Sequence, residues 1–474
     1  MERQLIENSK SNIYPFHMPG HKRRSMGEIN PYDIDITEIE GYDNLHDAKG
    51  IIKEAQDMAA QLYGADKSYF LINGSTCGIL SSISAATKPG DKIIVARNCH
   101  KAVYHAIFLR QLKPVYVHPE VCEAGIQGMI APEKIKKVLE KNPDAKAVII
   151  TSPTYDGVVS DVSKIAELAH DRKIPLIVDE AHGAHFGFHK NYPENATKLG
   201  ADAIILSLHK TLPAFTQTAL LNICGNLISK AKVEMFLGIF ETSSPSYIFM
   251  TGIERCLKYV EKYGEQGLQE LCENLNEFYR ECEKLKHLKV LRKSDFNTGS
   301  NKKEAYDFDE SKIIILTKNS GMSGQQLLEI LLNEYEIQLE MAAGNYALAL
   351  CSLMDTKEGF KRLSNALVEI DLKCKANINN EEKMLDISIY QNLLAEKPIH
   401  EALESETEAI PLEEATGKIS GAFVNLYPPG IPLLVPGEEI NQKLIDDIKR
   451  AKSLNMDVCG LTENNMIIIL KGQQ

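Results

Sequence analysis

The chain has 474 residues, 44% of them hydrophobic and 25% charged, which is typical of a folded globular protein and not of a disordered tail. Its 65 acidic and 53 basic side chains give a net charge of −12, which argues against a general nucleic-acid binder. The ten cysteines form no CxxC pair, as expected for reduced thiols. The sequence has no signal-peptide pattern and no run of 18 apolar residues, so we expect a cytoplasmic protein that spans no membrane.

Residues 1–49 carry several turn signals, among them MPGHK and NPYD, and are predicted to form an N-terminal arm. Over 50–260 the hydrophobic pattern alternates between helical and strand periods. Predicted helices cover 51–64, 100–112, 132–141 and 160–173. Predicted strands cover 68–72, 92–97, 114–117, 147–151, 175–181, 202–207 and 218–223. Short apolar runs separated by helices predict an α/β domain with a mostly parallel sheet covered on both faces.

The rest of the chain is predicted to form two smaller units. Residues 253–290 are dense in Glu, Lys and Leu at helical spacing and predict a long helix that leaves the large domain. Predicted strands at 312–316 and 346–351 indicate a small α/β domain over 261–375. The polar segment 374–383 is typical of a linker, and a C-terminal domain is expected over 376–474.

The loop NGSTCGI at 73–79 follows a predicted strand and begins a helix. Backbone N–H groups at a helix start, together with the hydroxyls of Ser75 and Thr76, can bind a phosphate. The alternative is that one of these hydroxyls only caps the helix. The loop matches neither a Walker loop nor a GxGxxG dinucleotide motif.

Three more polar groups come directly after predicted strands, and ligands of open α/β sheets bind beyond the carboxyl ends of strands. His100 begins a helix and could stack on an aromatic ring, or only cap that helix. Asp179, in DEAHG, could pair with a pyridinium nitrogen or a metal, or cap a turn. Lys210 could form a Schiff base if burial lowers its pKa, and Ser207 and His209 beside it could bind phosphate oxygens. The alternative for Lys210 is an ordinary surface lysine.

The order of these features matches the needs of pyridoxal 5′-phosphate. That cofactor requires a phosphate site, a ring to stack on, an anion at its ring nitrogen and an amine for its aldehyde. The lysine lies 31 residues after the acid, at the end of another predicted strand. We therefore predict a pyridoxal-phosphate enzyme with the aspartate-aminotransferase fold.

Seven motifs in order resemble the bacterial ornithine/lysine/arginine decarboxylases of fold type I. They are FHMPGHK (16–22), DNLHDAKG (43–50), NGSTCG (73–78), RNCHK (97–101), DEAHGAHFGFH (179–189), SLHKT (207–211) and YPPGIPLLVPGE (427–438). The resemblance runs from about residue 14 to about 440. The resemblance is to the shorter branch of this family, whose members lack the N-terminal receiver-like domain of the large inducible members. It implies a pyridoxal-phosphate-dependent decarboxylase of a basic amino acid, with a fold type I large domain and smaller C-terminal α/β domains.

The resemblance also implies roles for individual residues around the cofactor ring. Lys210 would bind the cofactor aldehyde, and Asp179 would pair with the pyridinium nitrogen. His100 would stack on one face of the ring and Ala181 would pack on the other. His182 comes after the Asp-Glu-Ala sequence, where some relatives have an aromatic residue, and its role near the substrate carboxylate is left open.

The phosphate ligands implied by the resemblance come from two chains. Within one chain they are Ser75, Thr76, Ser207 and His209. Ser243, in TSSPSY (242–247), would reach the phosphate of the partner in a homodimer or a higher homo-oligomer. The alternative is that Thr242, Ser243 and Ser244 only cap the next helix.

A substrate with a cationic end needs acceptors, and the arm is rich in acids. The candidates are Asp33, Asp35, Glu38, Glu40, Asp43 and, near the C-terminus, Glu438. The alternative for the arm is a solvated strand edge, because DIDI alternates as an exposed strand does. By resemblance, arginine is favoured as substrate over lysine or ornithine, and the product would be agmatine, cadaverine or putrescine, a polyamine or its precursor.

Three other functions fit parts of the sequence. His182, His185 and His189 beside Asp179 could indicate a metal hydrolase, although no further ligand is evident and we expect no metal. A different pyridoxal-phosphate reaction, such as transamination, usually needs an arginine clamp, and none is obvious after residue 250. A non-catalytic regulator with this fold would tolerate loss of Lys210 or Asp179, and both are present.

Overall fold

The computed structural model describes residues 2–27, 29–122, 126–297, 304–317, 319–374, 393–427, 430–453 and 456–472. Nearly all of the predicted linker, 375–383, lies outside these residues. Within the described ranges, no helix combines the length and the hydrophobicity needed to cross a membrane.

The N-terminal arm contains little regular structure. It has a short helix α1 (Glu2–Ser9), a strand β1 (Tyr14–Phe16) and two 3-10 turns at Pro31–Asp33 and Leu45–Asp47. The alternative of an exposed strand over 32–43 is wrong, because these residues form turns and bends.

The large α/β unit has the predicted alternation. Its helices are α2 (Ile51–Tyr63), α3 (Gly74–Ala86), α4 (Lys101–Leu109), α5 (Pro132–Lys141), α6 (Val162–His170), α7 (Leu208–Thr211), α8 (Lys230–Phe240) and α9 (Tyr247–Cys282). Its strands are β2 (Lys67–Leu71), β3 (Lys92–Ala96), β4 (Lys113–Val117), β5 (Val148–Thr151), β6 (Val158–Val159), β7 (Leu176–Asp179), β8 (Ala203–Leu206) and β9 (Ala219–Ile223).

Seven of these strands form the central sheet, in the order β2-β9-β8-β7-β5-β3-β4. The five neighbouring strands β4, β3, β5, β7 and β8 pair in parallel. Strand β9 runs antiparallel to both β8 and β2. Strands β5, β7 and β8 are almost wholly buried, as their continuous apolar runs predict. The predicted α/β class with a mostly parallel sheet is confirmed.

The long helix differs from its prediction at both ends. It begins at Tyr247, where Ser246 Oγ accepts a hydrogen bond from the N–H of Phe249, and it ends at Cys282. The first turns contain buried Tyr247 and Met250, so packing extends the helix ahead of the Glu- and Lys-rich stretch that marks it in the sequence. The predicted last residues, 289–290, form a short strand.

The smaller α/β unit is built around an antiparallel sheet. Its elements are β10 (Lys289–Val290), β11 (Asp307–Phe308), β12 (Lys312–Leu316), α10 (Gly324–Tyr335), β13 (Ile337–Leu339), β14 (Met341–Ala343), β15 (Tyr346–Leu350) and α11 (Lys357–Lys373). The sheet order is β10-β12-β15-β14, β1 of the arm pairs in parallel with β13, and β6 pairs with β11. The arm and the large unit thus both hydrogen-bond to this unit.

The C-terminal residues form a further unit with its own hydrophobic core. Its elements are α12 (Ile399–Glu404), β16 (Thr407–Pro411), β17 (Val424–Tyr427), β18 (Ile431–Leu434), α13 (Gln442–Ser453), β19 (Asp457–Cys459) and β20 (Met466–Leu470). Val424, Leu433 and Ile445 are fully buried in that core.

A buried ion pair joins this unit to the large one. Arg97, directly after β3, is 1% exposed, and its Nη2 lies 3.2 Å from Oε2 of Glu438. Its guanidinium also donates to the carbonyls of Pro432 and Leu433 and to the hydroxyl of Tyr104. The cation is therefore surrounded by acceptors that replace the water it has lost, as a buried guanidinium requires.

Removal of one partner from this pair should be strongly destabilising, since it leaves the other charge buried and unpaired. We expect Glu438→Ala to lower the free energy of unfolding by about 3–5 kcal/mol, measured by urea denaturation. The double variant Arg97→Met/Glu438→Leu should lose less than Glu438→Ala alone. Asp57→Ala, in the exposed ion pair of Asp57 with Lys53, is the control and should leave the urea midpoint nearly unchanged. Equal loss in Glu438→Ala and the control would show that the buried pair does not stabilise the contact.

Candidate active site

Two serine hydroxyls meet where β2 and β8 end. Ser75 lies in the first turn of α3, Ser207 directly precedes α7, and their Oγ atoms are 2.6 Å apart. Gly74, at the start of α3, has a φ of +75°, which favours glycine at this turn. Thr76 is exposed at the same helix start. The two loops therefore present hydroxyls and helix N–H groups at one place, a donor set suited to a phosphate.

His209 is also close to this position, but its hydrogen bonding limits what it can do. Its Nδ1 lies 2.9 Å from the carbonyl oxygen of Thr218, so Nδ1 must donate. Burial lowers the pKa of His209 to about 4, so the free ring is neutral near pH 7. In that form Nε2 is an acceptor, and a contact with a phosphate oxygen requires a second proton on the ring.

Lys210 and His182 form the central pair of the site. Lys210 Nζ lies 2.9 Å from Nε2 of His182. Burial lowers the pKa of Lys210 to about 8, against the attraction of Asp179. Burial also holds the pKa of His182 well below its usual range, so its neutral Nε2 accepts from the lysine. The ring of His182 packs on that of Tyr155, with centroids 4.7 Å apart.

Asp179 is the last residue of β7 and is buried. Burial raises the pKa of its carboxyl group, and the nearby Lys210 acts in the opposite direction. Its Oδ1 accepts a hydrogen bond of 3.2 Å from the N–H of Ala181, which is itself buried. Asp179, Ala181 and His182 are therefore held by one short turn beside Lys210.

His100 lies at the start of α4, beyond the end of β3. Its Nδ1 accepts a 3.2 Å hydrogen bond from the N–H of Ala102, so the predicted alternative of a capping histidine describes part of its function. Burial, and then the charge of Lys210, lower its pKa to about 3. The ring is neutral and lies near the lysine, a position compatible with both the cap and the predicted stacking on an aromatic ring.

Ser243 is not part of this group of contacts. It is exposed, in the segment between α8 and α9. The alternative that residues 242–244 cap the next helix is wrong, because Ser246 caps it. Ser243 could complete a site in a partner chain, and its function stays a prediction.

Two of the six acids proposed for the substrate's cationic end have other partners. The carboxylate of Asp43 accepts hydrogen bonds from the N–H groups of Asn44, Lys49, Gly50, Ile52 and Lys53, and so organises the start of α2. Glu438 pairs with the buried Arg97. Neither carboxylate is available to a substrate, and this part of the expectation was wrong.

Sequence reasoning missed three side chains that lie around Lys210. Tyr155 donates a 2.6 Å hydrogen bond to Glu340 Oε1, and Glu340 Oε2 accepts from the N–H of Met18. Lys312 is fully buried. Its charge lowers the pKa of Lys210, and the charge of Glu340 raises it. Tyr155 lies shortly after the end of β5, so the strand-end argument could have found it. No local signal marks Glu340 or Lys312, because they come from the smaller unit.

The motif FHMPGHK lies between the lysine turn and the smaller unit. The N–H of Gly20 donates to the carbonyl of His209 at 2.7 Å, and the carbonyl of Gly20 accepts from Ser352 Oγ at 2.6 Å. A Cβ at position 20 would lie 2.7 Å from the carbonyl oxygen of Leu212, so only glycine fits. Lys22 Nζ donates to the Leu350 carbonyl at 2.6 Å. The arm therefore holds the segment that carries Lys210.

The three histidines of the metal-hydrolase alternative have different partners. His182 faces Lys210, Nε2 of His185 lies 3.4 Å from Asp309, and Nε2 of His189 lies 2.9 Å from Oε1 of Gln269. In the part of the chain that the structure describes, no group of three or more His, Cys, Asp or Glu side chains is arranged to hold a metal ion.

Comparison with known proteins identifies the family. The Orn/Lys/Arg decarboxylase major-domain profile matches residues 1–359, and the C-terminal-domain profile of the same family matches 379–464. An arginine decarboxylase of Bacillus subtilis is 35% identical over 482 residues, covering 99% of this chain and 97% of that protein. An arginine decarboxylase of Bacillus anthracis is 34% identical, covering 96% and 93%.

A solved structure shows the same fold. The lysine decarboxylase LdcF of Francisella novicida superposes with a TM-score of 0.78 at 22% identity, covering 98% of this chain and 80% of that one. With a family profile over most of the chain and relatives aligned along nearly its full length, this chain belongs to the Orn/Lys/Arg decarboxylase family and is a decarboxylase with the fold type I architecture of pyridoxal-phosphate enzymes.

Proposed function

We propose that this chain removes the α-carboxyl group of arginine as CO₂, with pyridoxal 5′-phosphate bound at Lys210, and forms agmatine, a precursor of polyamines. The observation that carries the proposal is the contact of Lys210 Nζ with His182 Nε2, beside a buried carboxylate at the end of the adjacent strand. We further propose a homodimer, or a multiple of it, in the cytoplasm.

The residues present suit this cofactor. The converging hydroxyls of Ser75 and Ser207 lie at a helix start and can receive a phosphate. Nδ1 of His182 is buried and has no partner among the described residues, so it remains able to bond to a ligand. An amine of lowered pKa and a buried acid complete the set that an aldehyde and a pyridine nitrogen require.

Lys210 must present a neutral amine to react with a carbonyl group. Removal of this amine from water lowers its pKa to about 8, so about a tenth of it is neutral at pH 7, far more than for an exposed lysine. Nε2 of His182 accepts from Nζ and fixes its direction, and Tyr155 packs against the histidine. We infer that His182 is a positioning residue for the lysine.

Asp179 would hold a proton on the cofactor's ring nitrogen. When bound, the cofactor supplies an electron acceptor for the pair that remains when CO₂ leaves. A carboxylate fixed at the strand end favours the protonated ring nitrogen, since opposite charges attract strongly in a buried site. His100 and Ala181 would confine the ring between them, and both are held by hydrogen bonds of their own backbone or side chain.

Other reactions of this cofactor fit the chain less well. An arginine clamp for the substrate carboxylate is typical of aminotransferases, and the arginines at 255, 292 and 362 have other partners. Arg255 donates to the carbonyl of Met26, Arg362 to that of Asn12, and Arg292 lies 3.5 Å from Glu310. A carboxylate without a bidentate partner is easier to expel.

The choice of arginine rests on the relatives and on the remaining acids. Bacillus proteins named arginine decarboxylase share 34–35% identity with nearly the whole chain. Asp33, Asp35, Glu38 and Glu40 remain as candidates to bind a guanidinium, and Glu340 is a fifth, since its charge reaches Lys210. Lysine and ornithine are the other substrates that this charge pattern could accept.

The decisive test is a panel of CO₂-release assays on arginine, lysine and ornithine with purified protein. We expect the highest kcat/KM on arginine, and we expect Lys210→Ala to lose nearly all turnover, because the alanine variant has no amine at this position.

Borohydride reduction of the native protein should attach the cofactor to Lys210, as located by peptide mass analysis. A label on another lysine, or equal activity of Lys210→Ala, would overturn the assignment.

The lowered pKa of Lys210 has a measurable consequence in the cofactor-free protein. We expect this lysine to react with an amine-selective acylating reagent along a titration centred near pH 8, whereas an ordinary exposed lysine titrates about two units higher. Asp179→Asn should move the centre to lower pH, because the carboxylate stabilises the ammonium form. The same variant should still bind cofactor but lose most of the rate. A centre near the ordinary lysine value of about 10.4 in the wild type would show that burial does not lower the pKa of Lys210.

The shared site can be tested by mixing two inactive chains. A Lys210→Ala chain and a chain with Ser243 replaced by a bulky residue such as Phe are each expected to have little activity. If Ser243 serves the partner's phosphate, one of the two sites in a hybrid dimer has both intact residues, and activity should partly return. Mixing the Lys210→Ala chain with itself is the control. Sedimentation that shows a fully active monomer would exclude the shared site.

A further inference from the structure

Glu241 is a buried acid that the proposed chemistry does not use. It lies directly after α8 and is 7% exposed. Its Oε1 accepts from the N–H of Ile72 at 3.2 Å, and its Oε2 accepts from the N–H of Asn73 at 3.1 Å. These two residues lie immediately before Gly74 and Ser75. The carboxylate therefore holds the backbone that enters the proposed phosphate site.

Two neighbouring contacts fix the same backbone. Nδ2 of Asn73 donates to the carbonyl of Phe240 at 3.1 Å, so the loop is bound at Glu241 and also at the residue before it. Nε2 of Gln217 donates to the carbonyl of Ile72 at 2.6 Å. With its N–H and its carbonyl both engaged, Ile72 cannot shift without loss of a buried hydrogen bond, and the position of Ser75 depends on that of Ile72.

A carboxylate is an unusual neighbour for a proposed phosphate site. A phosphate bound at the start of α3 would be close to a carboxylate of the same sign, and two such charges repel in a buried site. Burial raises the pKa of Glu241 to about 7. The groups that face it are the thiol of Cys77 from α3 and the ring of His46 from the Leu45–Asp47 turn, whose Nε2 lies 2.8 Å from the Thr242 carbonyl oxygen.

We propose that Glu241 is a positioning residue for the cofactor phosphate, which holds the loop at Ile72 and Asn73 and whose ionisation weakens phosphate binding. The proposal rests on the proposed binding of pyridoxal 5′-phosphate. In its protonated form the side chain can still accept from the N–H groups of Ile72 and Asn73 at Oε1, and it adds no like charge. Binding of the phosphate therefore favours the protonated form, and part of the cofactor affinity is lost as pH rises.

The test is the dissociation constant of pyridoxal 5′-phosphate between pH 6 and pH 8.5, measured by absorbance titration of the cofactor-free protein. Glu241→Gln keeps an acceptor but removes the charge. We expect it to match the wild type at pH 6 and to bind about three- to tenfold more tightly at pH 8.5. Glu241→Ala loses both backbone contacts and should bind about tenfold more weakly than Glu241→Gln at every pH. Glu234→Gln, an exposed acid on α8, is the matched control.

The ratio of the wild-type constant to that of Glu241→Gln isolates this residue, because the titrations of Lys210 and of the phosphate itself affect both proteins. A ratio that does not change with pH would overturn the effect of charge. An alanine variant that binds as tightly as the glutamine variant would overturn the positioning effect. Proton uptake on binding near pH 7.5 is a second readout, and it should be larger in the wild type than in Glu241→Gln. If the wild type binds no cofactor at all, the proposed function fails instead.

Discussion

The parallel register of β5, β7 and β8 is the constraint on which the candidate site depends. Thr151 pairs with Asp179, and Asp179 pairs with Ile205, so the three strands end at one edge of the sheet. The chain leaves β7 through Ala181 and His182 and leaves β8 through Ser207. Because both turns begin at the same edge, Lys210 and His182 meet although they lie 28 positions apart in sequence.

Burial at this edge then determines the protonation states. The same removal from water lowers the pKa values of Lys210, His182 and His100 and raises that of Asp179. Each shift favours the neutral form of its group, and the attraction between Lys210 and Asp179 acts against it. The result is a neutral imidazole beside an amine that is easily deprotonated, which is the state that carbonyl chemistry requires.

The edge is closed by parts of the chain that lie far away in sequence. The arm residue Gly20 bonds to both His209 and Ser352, and Glu340 of the smaller unit bonds to Tyr155 and Met18. These contacts connect the lysine turn to the smaller unit through the arm. The C-terminal unit contacts the loop before His100 through Arg97, so a structural ion pair lies close to a proposed cofactor residue. A displacement of either smaller unit would therefore disturb the site.

The sequence by itself determined the class of fold, the strands of the central sheet and the positions of Asp179, His100 and Lys210, because these depend on local hydrophobic runs and on the polar residues at the strand ends. The same local signals produced the family resemblance. Only the tertiary structure decided which acids are available: Asp43 caps a helix and Glu438 pairs with Arg97. It also decided that Ser246 caps α9 and that Tyr155, Glu340 and Glu241 lie near the site. The pairing of Glu438 and the places of Tyr155, Glu340 and Glu241 depend on contacts between residues distant in sequence. The hydrogen bonds of Asp43 and Ser246 are local, but hydrophobic periodicity carries no information about either kind of contact.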